Sequence, residues 1–254
     1  MFKRNLYAGL LPYLIKFCED RGYGFSFQGD IHPGTSEKLN LNAVENFMDE
    51  SIKPCSGGVR ISPHEHQITA IQHCLNNDRA LLLSPTGSGK SLIIYSLMRH
   101  YQTMTDKKIL ILVPTTSLVE QMYTDFEDYS SESDWCVEEN CHRIYSGKEK
   151  ETDLQVTIST WQSLYKMPPE YFDQFGVVFG DECHLYKAKS LTAIMEKLVD
   201  CPIRIGTTGT LDGTKAHKLM IEGLFGVVFK AASTKDLINK EILSEFEIDS
   251  ILLK

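Results

Sequence analysis

No apolar run in this 254-residue chain is long enough to span a bilayer. The opening Met1-Phe2-Lys3-Arg4 lacks the apolar stretch and cleavage site of a secretory signal, so a cytoplasmic location without a membrane partner is expected. Positive charge is also short: 26 Lys and Arg stand against 34 Asp and Glu, a net charge of −8. That balance argues against a broadly basic nucleic-acid surface, but it leaves room for a few phosphates held by backbone N–H groups and hydroxyls. The seven cysteines are odd in number and scattered, so they form no disulfide framework and free thiols are expected. No internal repeat of 20–50 residues is present. The 42% hydrophobic content is ample for a core.

What is present begins with Leu81-Leu82-Leu83, a short apolar run that reads as a buried strand. Ser84-Pro85-Thr86-Gly87-Ser88-Gly89-Lys90 reads as a tight loop, and Ser91 to Met98 resumes with helical spacing. Strand, loop and helix in that order suit phosphate capture. Gly87 and Gly89 let N–H groups, with those of Thr86 and Ser88, close round a polyphosphate. Lys90 reaches the β/γ oxygens, and the Ser91 hydroxyl can bind Mg²⁺. The general pattern has glycine where Ser84 stands.

A second short apolar run, Phe175 to Gly180, is followed by Asp181-Glu182-Cys183-His184. Beyond the carboxyl end of a parallel strand, Asp181 would hold Mg²⁺ and Glu182 would polarise the attacking water. Together, Pro85-Thr86-Gly87-Ser88-Gly89-Lys90-Ser91 and Asp181-Glu182-Cys183-His184 resemble the first RecA-like domain of a superfamily 2 DNA helicase. Val113-Pro114-Thr115-Thr116-Ser117-Leu118 and Thr160-Trp161-Gln162 bring the likeness closer to a phage recombination and repair helicase.

The resemblance implies an ATP- and Mg²⁺-using motor acting on DNA that is branched or single-stranded, in the host bacterial cytoplasm if phage-encoded. It puts His184 among the catalytic residues with Lys90, Asp181 and Glu182. Gln67 matches the glutamine that reads the adenine edge, the alternative being a plain helix-surface residue. Thr116 or Ser117 is the expected N-cap of the helix that begins at Leu118, and the hydroxyls around it, Thr115 and Thr116 among them, either serve capping alone or also touch a DNA backbone. Lys148 sits in a turn that is either solvated or on DNA. Thr160 matches a DNA-touching position, and Trp161 beside it is core or a stacking platform. Thr207-Thr208-Gly209-Thr210 stands where the family has Ser-Ala-Thr; small hydroxyls there would hydrogen-bond toward the acidic box, and Thr208, Gly209 and Thr210 would couple nucleotide state to the DNA loops. Arg60 lies against the base or does not. A second RecA-like motor domain is expected in the full-length chain, because no second half with arginine-bearing motifs follows here. Two other readings stay open: a nucleotide-gated nucleic-acid-binding module without turnover, and a superfamily 2 translocase on RNA or duplex DNA.

Strands and helices alternate, so the expected fold is a doubly wound parallel α/β sheet of RecA-like type with a short N-terminal α+β extension. Residues 1–56 read as a partial accessory region and linker and 57–254 as the ATP-binding domain. Leu6, Leu10, Leu14, Phe17 and Cys18 predict a helix, Phe25-Ser26-Phe27 a strand, and Ser244 to Ile251 a closing strand. Pro54-Cys55-Ser56-Gly57-Gly58 reads as linker. His64, His66, His73 and Cys74 read as solvated helix positions without zinc spacing.

Overall fold

A computed structural model describes residues 6–26, 38–185, 189–211 and 213–244. After a 3₁₀ turn, Ala8–Leu10, comes α1 (Leu11–Asp20). Then α2 (Leu41–Phe47) runs on as a π-turn, Met48–Ile52, into a small hairpin of β1 (Cys55–Ser56) and β2 (Val59–Arg60). The main body follows as α3 (Glu65–Leu75), β3 (Arg79–Leu83), α4 (Lys90–Met104), β4 (Lys108–Val113), α5 (Thr116–Tyr129), α6 (Val137–Asn140), β5 (Cys141–Ile144) and β6 (Val156–Thr160). It closes with α7 (Trp161–Leu164), α8 (Pro169–Phe172), β7 (Phe175–Gly180), α9 (Lys189–Lys197), β8 (Ile203–Thr208), α10 (Lys215–Leu224), β9 (Val228–Lys230) and α11 (Thr234–Asn239).

Seven of the strands form one sheet in the order β5-β6-β4-β7-β8-β3-β9, every neighbouring pair parallel. The unbroken apolar runs of β4 and β7 follow from this, because both faces of the sheet are covered. On one face α2 to α5 pack through Ile71, Ile93, Leu97, Phe126 and their neighbours. On the other, α7 to α10 pack through Leu164, Leu191, Ile194 and Leu224. Each such large side chain, fully buried, contributes roughly 1.5–3 kcal/mol. The consequence for function is positional. All seven strands of this sheet run the same way, so the loops after β3, β4, β6, β7 and β8 gather at one edge of it.

The stretch read as linker is the β1–β2 hairpin, whose Gly57 and Gly58 both have positive φ and whose Gly57 N–H donates to the Asp128 carboxylate at 2.8 and 3.1 Å. Just before it, Val44, Met48 and Ile52 are buried in the same core as α3 and α4. At the N-terminus α1 forms as its spacing predicts, yet Leu6, Leu14 and Phe17 stay exposed. The preceding turn docks by Gly9, where a Cβ would stand 2.0 Å from the Glu222 carbonyl oxygen, so the backbone and not the apolar face meets α10. Tyr13 adds to that contact by donating to Glu222, and Tyr7 donates to Glu196 on α9, at 2.8 Å each. Phe25 and Ser26 are not in a strand, and the rest of the two expected strands, Phe27 and residues 245–251, lies outside the described residues. Among the described residues no helix is long and apolar enough to cross a membrane.

Candidate nucleotide and nucleic-acid site

The loop after β3 is held from three sides. The Ser84 N–H donates to the Thr208 carbonyl at 2.9 Å, tying the loop to β8. The Ser84 and Ser88 hydroxyls bond each other at 2.7 Å, and both residues are buried, 0% and 2% exposed. This pairing accounts for the serine where glycine is usual. From α3, His66 Nε2 and Gln67 Nε2 reach the Ser88 carbonyl at 2.9 and 3.2 Å. Burial pulls the His66 ring below its ordinary pKa, favouring the neutral form.

Gln67 is 4% exposed and both ends of its amide are engaged, Nε2 with the loop and Oε1 with the His64 N–H at 2.8 Å. The structure therefore places Gln67 as a brace under the loop. Gly89 is required here, since its φ is +78° and a Cβ would stand 2.2 Å from Gln67 Nε2. The next residue, Lys90, starts the 15-residue α4, whose N-terminal N–H groups and dipole favour an anion.

Across the edge, β7 delivers Asp181 and Glu182. Asp181 is 7% exposed, its N–H donates to the Leu112 carbonyl at 2.9 Å, and Oδ1 accepts from Thr207 Oγ1 at 2.6 Å. Burial, with the Glu182 charge beside it, holds the Asp181 carboxyl above its ordinary pKa, while Thr207 and Lys90 oppose the rise. Glu182 has φ +50°, a conformation costing roughly 1–2 kcal/mol in a non-glycine residue. That turn points Oε1 at Lys90 Nζ, 3.5 Å away, and Oε2 at His184 Nδ1, 3.2 Å away.

The chain of contacts continues. His184 Nδ1 is 3.0 Å from Thr208 Oγ1, which itself donates to the Thr210 carbonyl at 2.7 Å. Since Thr208 spends its proton on that carbonyl, His184 is the donor to it. Gly209 faces the phosphate loop, where a Cβ would lie in ordinary contact, 3.4 Å from Thr86 Oγ1.

At the same edge a cavity of ≈ 760 Å³ brings together Thr115, Thr116, Lys148 and Thr160, which lie apart in sequence, and adds Lys150 and Lys166. Its described lining contains three lysines and no carboxylate, in a chain of net charge −8. Tyr145 and Tyr165 stand under Lys148 and Lys166, each 5.5 Å from ring centroid to Nζ. Thr115 accepts from the Leu118 N–H at 3.3 Å, so the cap of α5 is Thr115 and not the expected Thr116 or Ser117, because the helix already begins at Thr116. Thr160 is buried, with its hydroxyl 2.9 Å from that of Ser163.

Residues 60–213 match the family described as type III restriction enzyme, res subunit. The chain belongs to that family of superfamily 2 helicase domains. Along its whole length it is 37% identical, over 260 residues, to the ATP-dependent DNA helicase uvsW of Enterobacteria phage T4, covering 50% of that protein. A crystal structure of the UvsW helicase from bacteriophage T4 superposes with a TM-score of 0.77 at 36% identity, covering 87% of this chain and 78% of that one. The DNA 3'-5' translocase XPB2 of Sulfurisphaera tokodaii is 24% identical over 202 residues, 80% of this chain and 43% of that protein. The chain thus spans about half the length of the curated relatives it matches.

Within this helicase domain, the structure brings Lys90, Ser91, Asp181, Glu182 and His184 to one edge with the Thr208-Gly209-Thr210 loop. Arg60 is bonded to the Asp49 carbonyl and lies 3.5 Å from its carboxylate. Trp161 is in the core. His66, expected to be solvated, is buried because a loop and not water covers that side of α3. His73 stacks on Phe229 with centroids 4.0 Å apart, and Cys74 is fully buried. The Thr207 hydroxyl on Asp181 is a bond toward the acidic box of the kind expected from the small hydroxyls of residues 207–210.

Proposed function

We propose that the chain is the ATP-binding motor half of a DNA helicase or translocase. A single strand runs in the lysine-lined groove, and branched DNA (forks, junctions, R-loops) is the substrate of the complete motor. The observation that carries this reading is the convergence of Lys90, Ser91, Asp181 and Glu182 at the carboxyl ends of β3 and β7, with Lys90 3.5 Å from Glu182. The N–H groups of Thr86, Gly87, Ser88 and Gly89 cradle the phosphates, Gln67 holds that loop in shape, and Lys90 supplies the charge. Ser91 and Asp181 offer hard oxygen donors, which fits Mg²⁺, an ion that takes one or two protein oxygens and completes its shell with phosphate and water. When bound, the ion neutralises phosphate charge. Glu182 orients the attacking water while Lys90 and His184 hold its two oxygens apart.

His184, Thr208, Gly209 and Thr210 link that carboxylate to the strand edge beside the groove, and this is the proposed coupling route. The choice of branched DNA follows from the likeness to a phage repair helicase. A second RecA-like half supplies the opposite wall of the ATP site, where arginines are worth roughly 10³–10⁵ in kcat.

Titration calorimetry with Mg·ATP tests the nucleotide site. Lys90→Ala is expected to weaken binding at least about tenfold, or about 1.4 kcal/mol; equal affinity removes the reading. Anisotropy of a labelled single strand against salt tests the groove. With Lys148, Lys150 and Lys166 all changed to Ala, the slope of log K against log salt falls by up to about 2, and an unchanged slope places the strand elsewhere.

A further inference from the structure

The Ser91 hydroxyl is not free. Its Oγ lies 2.8 Å from Tyr129 Oη, and the Asp125 carboxyl lies beside it, within its electrostatic influence. Asp125 and Tyr129 are four residues apart on α5, hence on one face of that helix, and all three side chains are half-buried.

We infer that Asp125 and Tyr129 are positioning residues for the Mg²⁺ site, fixing the direction in which Ser91 offers a lone pair; this rests on the nucleotide reading above. A serine oxygen binds a hard cation through a lone pair, so its proton has to be taken by another acceptor. A carboxylate is a stronger acceptor than a phenol. Ser91 therefore donates to Asp125, Tyr129 donates to Ser91, and one lone pair of Oγ remains. With a donor and an acceptor both placed by α5, the rotamer of Ser91 is set before any ion arrives.

The alternative role, pinning α5 to α4, is already filled by apolar contacts. Tyr95 meets Phe126 and Tyr129 with ring centroids 5.3 and 5.5 Å apart, and Val119 and Met122 are buried in the same core. A half-buried polar trio adds little to that packing, whereas partners that orient a metal ligand commonly govern metal affinity by 10–100-fold.

The test is the affinity of the 254-residue protein for a slowly hydrolysed ATP analogue, followed by calorimetry over a range of free Mg²⁺ and again in EDTA. Tyr129→Phe keeps the ring packing, and Asp125→Asn keeps the side-chain shape. Each is expected to raise the Mg²⁺ concentration at half-effect by about 10–100-fold while leaving the affinity in EDTA within about twofold. In a Ser91→Ala background, Tyr129→Phe should change nothing further. An unchanged Mg²⁺ dependence in both variants overturns the inference, as does an effect that persists in full without Ser91. If Tyr129→Phe lowers stability, Asp125→Asn decides alone. A wild-type protein that binds no nucleotide would remove the nucleotide reading and this one with it.

Discussion

Changing Ser84 to the glycine found at its position in many phosphate loops should harm this protein. The Ser84 and Ser88 hydroxyls are each other's hydrogen-bond partners at 2.7 Å, and both side chains are shielded from water. Ser84→Ala leaves the Ser88 hydroxyl without a partner, and Ser88→Ala does the same to Ser84. Stranding a buried hydroxyl costs about 1–3 kcal/mol, whereas removing both partners is close to neutral. For a chain of this size, 1 kcal/mol moves Tm by about 2–4 °C, so each single variant should lose from a few to about ten degrees. Ser84→Gly should lose as much, with some further loss from the freer unfolded backbone. Urea unfolding of wild type, both alanine variants and the double variant completes the cycle. The double variant should be more stable than the sum of the singles by about 0.5–3 kcal/mol. Strict additivity would refute the pairing and leave the serine at 84 unexplained.

On the mechanism proposed above, Glu182→Gln in the complete motor should lose most of kcat without weakening ATP binding, because the carboxylate acts on the attacking water and makes no favourable contact with the ground-state nucleotide; hydrolysis within threefold of wild type would remove Glu182 from the mechanism. Acid should destabilise the fold through buried imidazoles. Burial lowers the pKa of His66, His73 and His100, so stability is present above the ordinary histidine value and is lost as pH falls from about 6.5 through the depressed values. The urea midpoint should drop between pH 7.5 and 5.5, and less so in His73→Phe, which keeps the stack on Phe229. An equal drop in that variant would exclude His73.

The parts legible in the sequence are those carried by neighbours. Strand β3 could be read because three leucines stand together just before a polar loop, and the phosphate loop because its spacing lies within one turn. The acidic box was placed by the strand before it. The contacts that escaped are long-range. Ser91 meets Tyr129 across 38 positions and Gln67 meets the Ser88 carbonyl across 21, and no local pattern encodes which helix or loop will lie alongside. His66 was misread for a different reason. Periodicity identified the face of α3 that meets the sheet, with Ile68, Ile71 and Leu75, but not that a loop would close over its N-terminal turn. For α1 the same periodicity gave a real helix without showing that Gly9, and not the leucines, makes the contact.

Lys90 links the two halves of the proposed site, and this determines how changes in one half affect the other. Its Nζ lies 3.5 Å from the Ser84 carbonyl, the Pro85 carbonyl and Glu182 Oε1, three contacts at the outer limit of hydrogen bonding. Opposite charges at that separation attract by about 5 kcal/mol at an effective dielectric of 20. Both side chains are largely buried, so desolvation offsets most of that attraction. A phosphate oxygen would give Lys90 a shorter charge-assisted bond of about 2.7–2.9 Å. Nucleotide and Glu182 therefore compete for one ammonium group. Neutralising Glu182 removes the competitor and a charge that repels phosphate, so the same substitution that slows hydrolysis should tighten ground-state binding. Neutralising Lys90 has the opposite consequence, leaving Glu182 beside a buried Asp181 without its cation. The pair thus makes affinity and chemistry opposed functions of one contact.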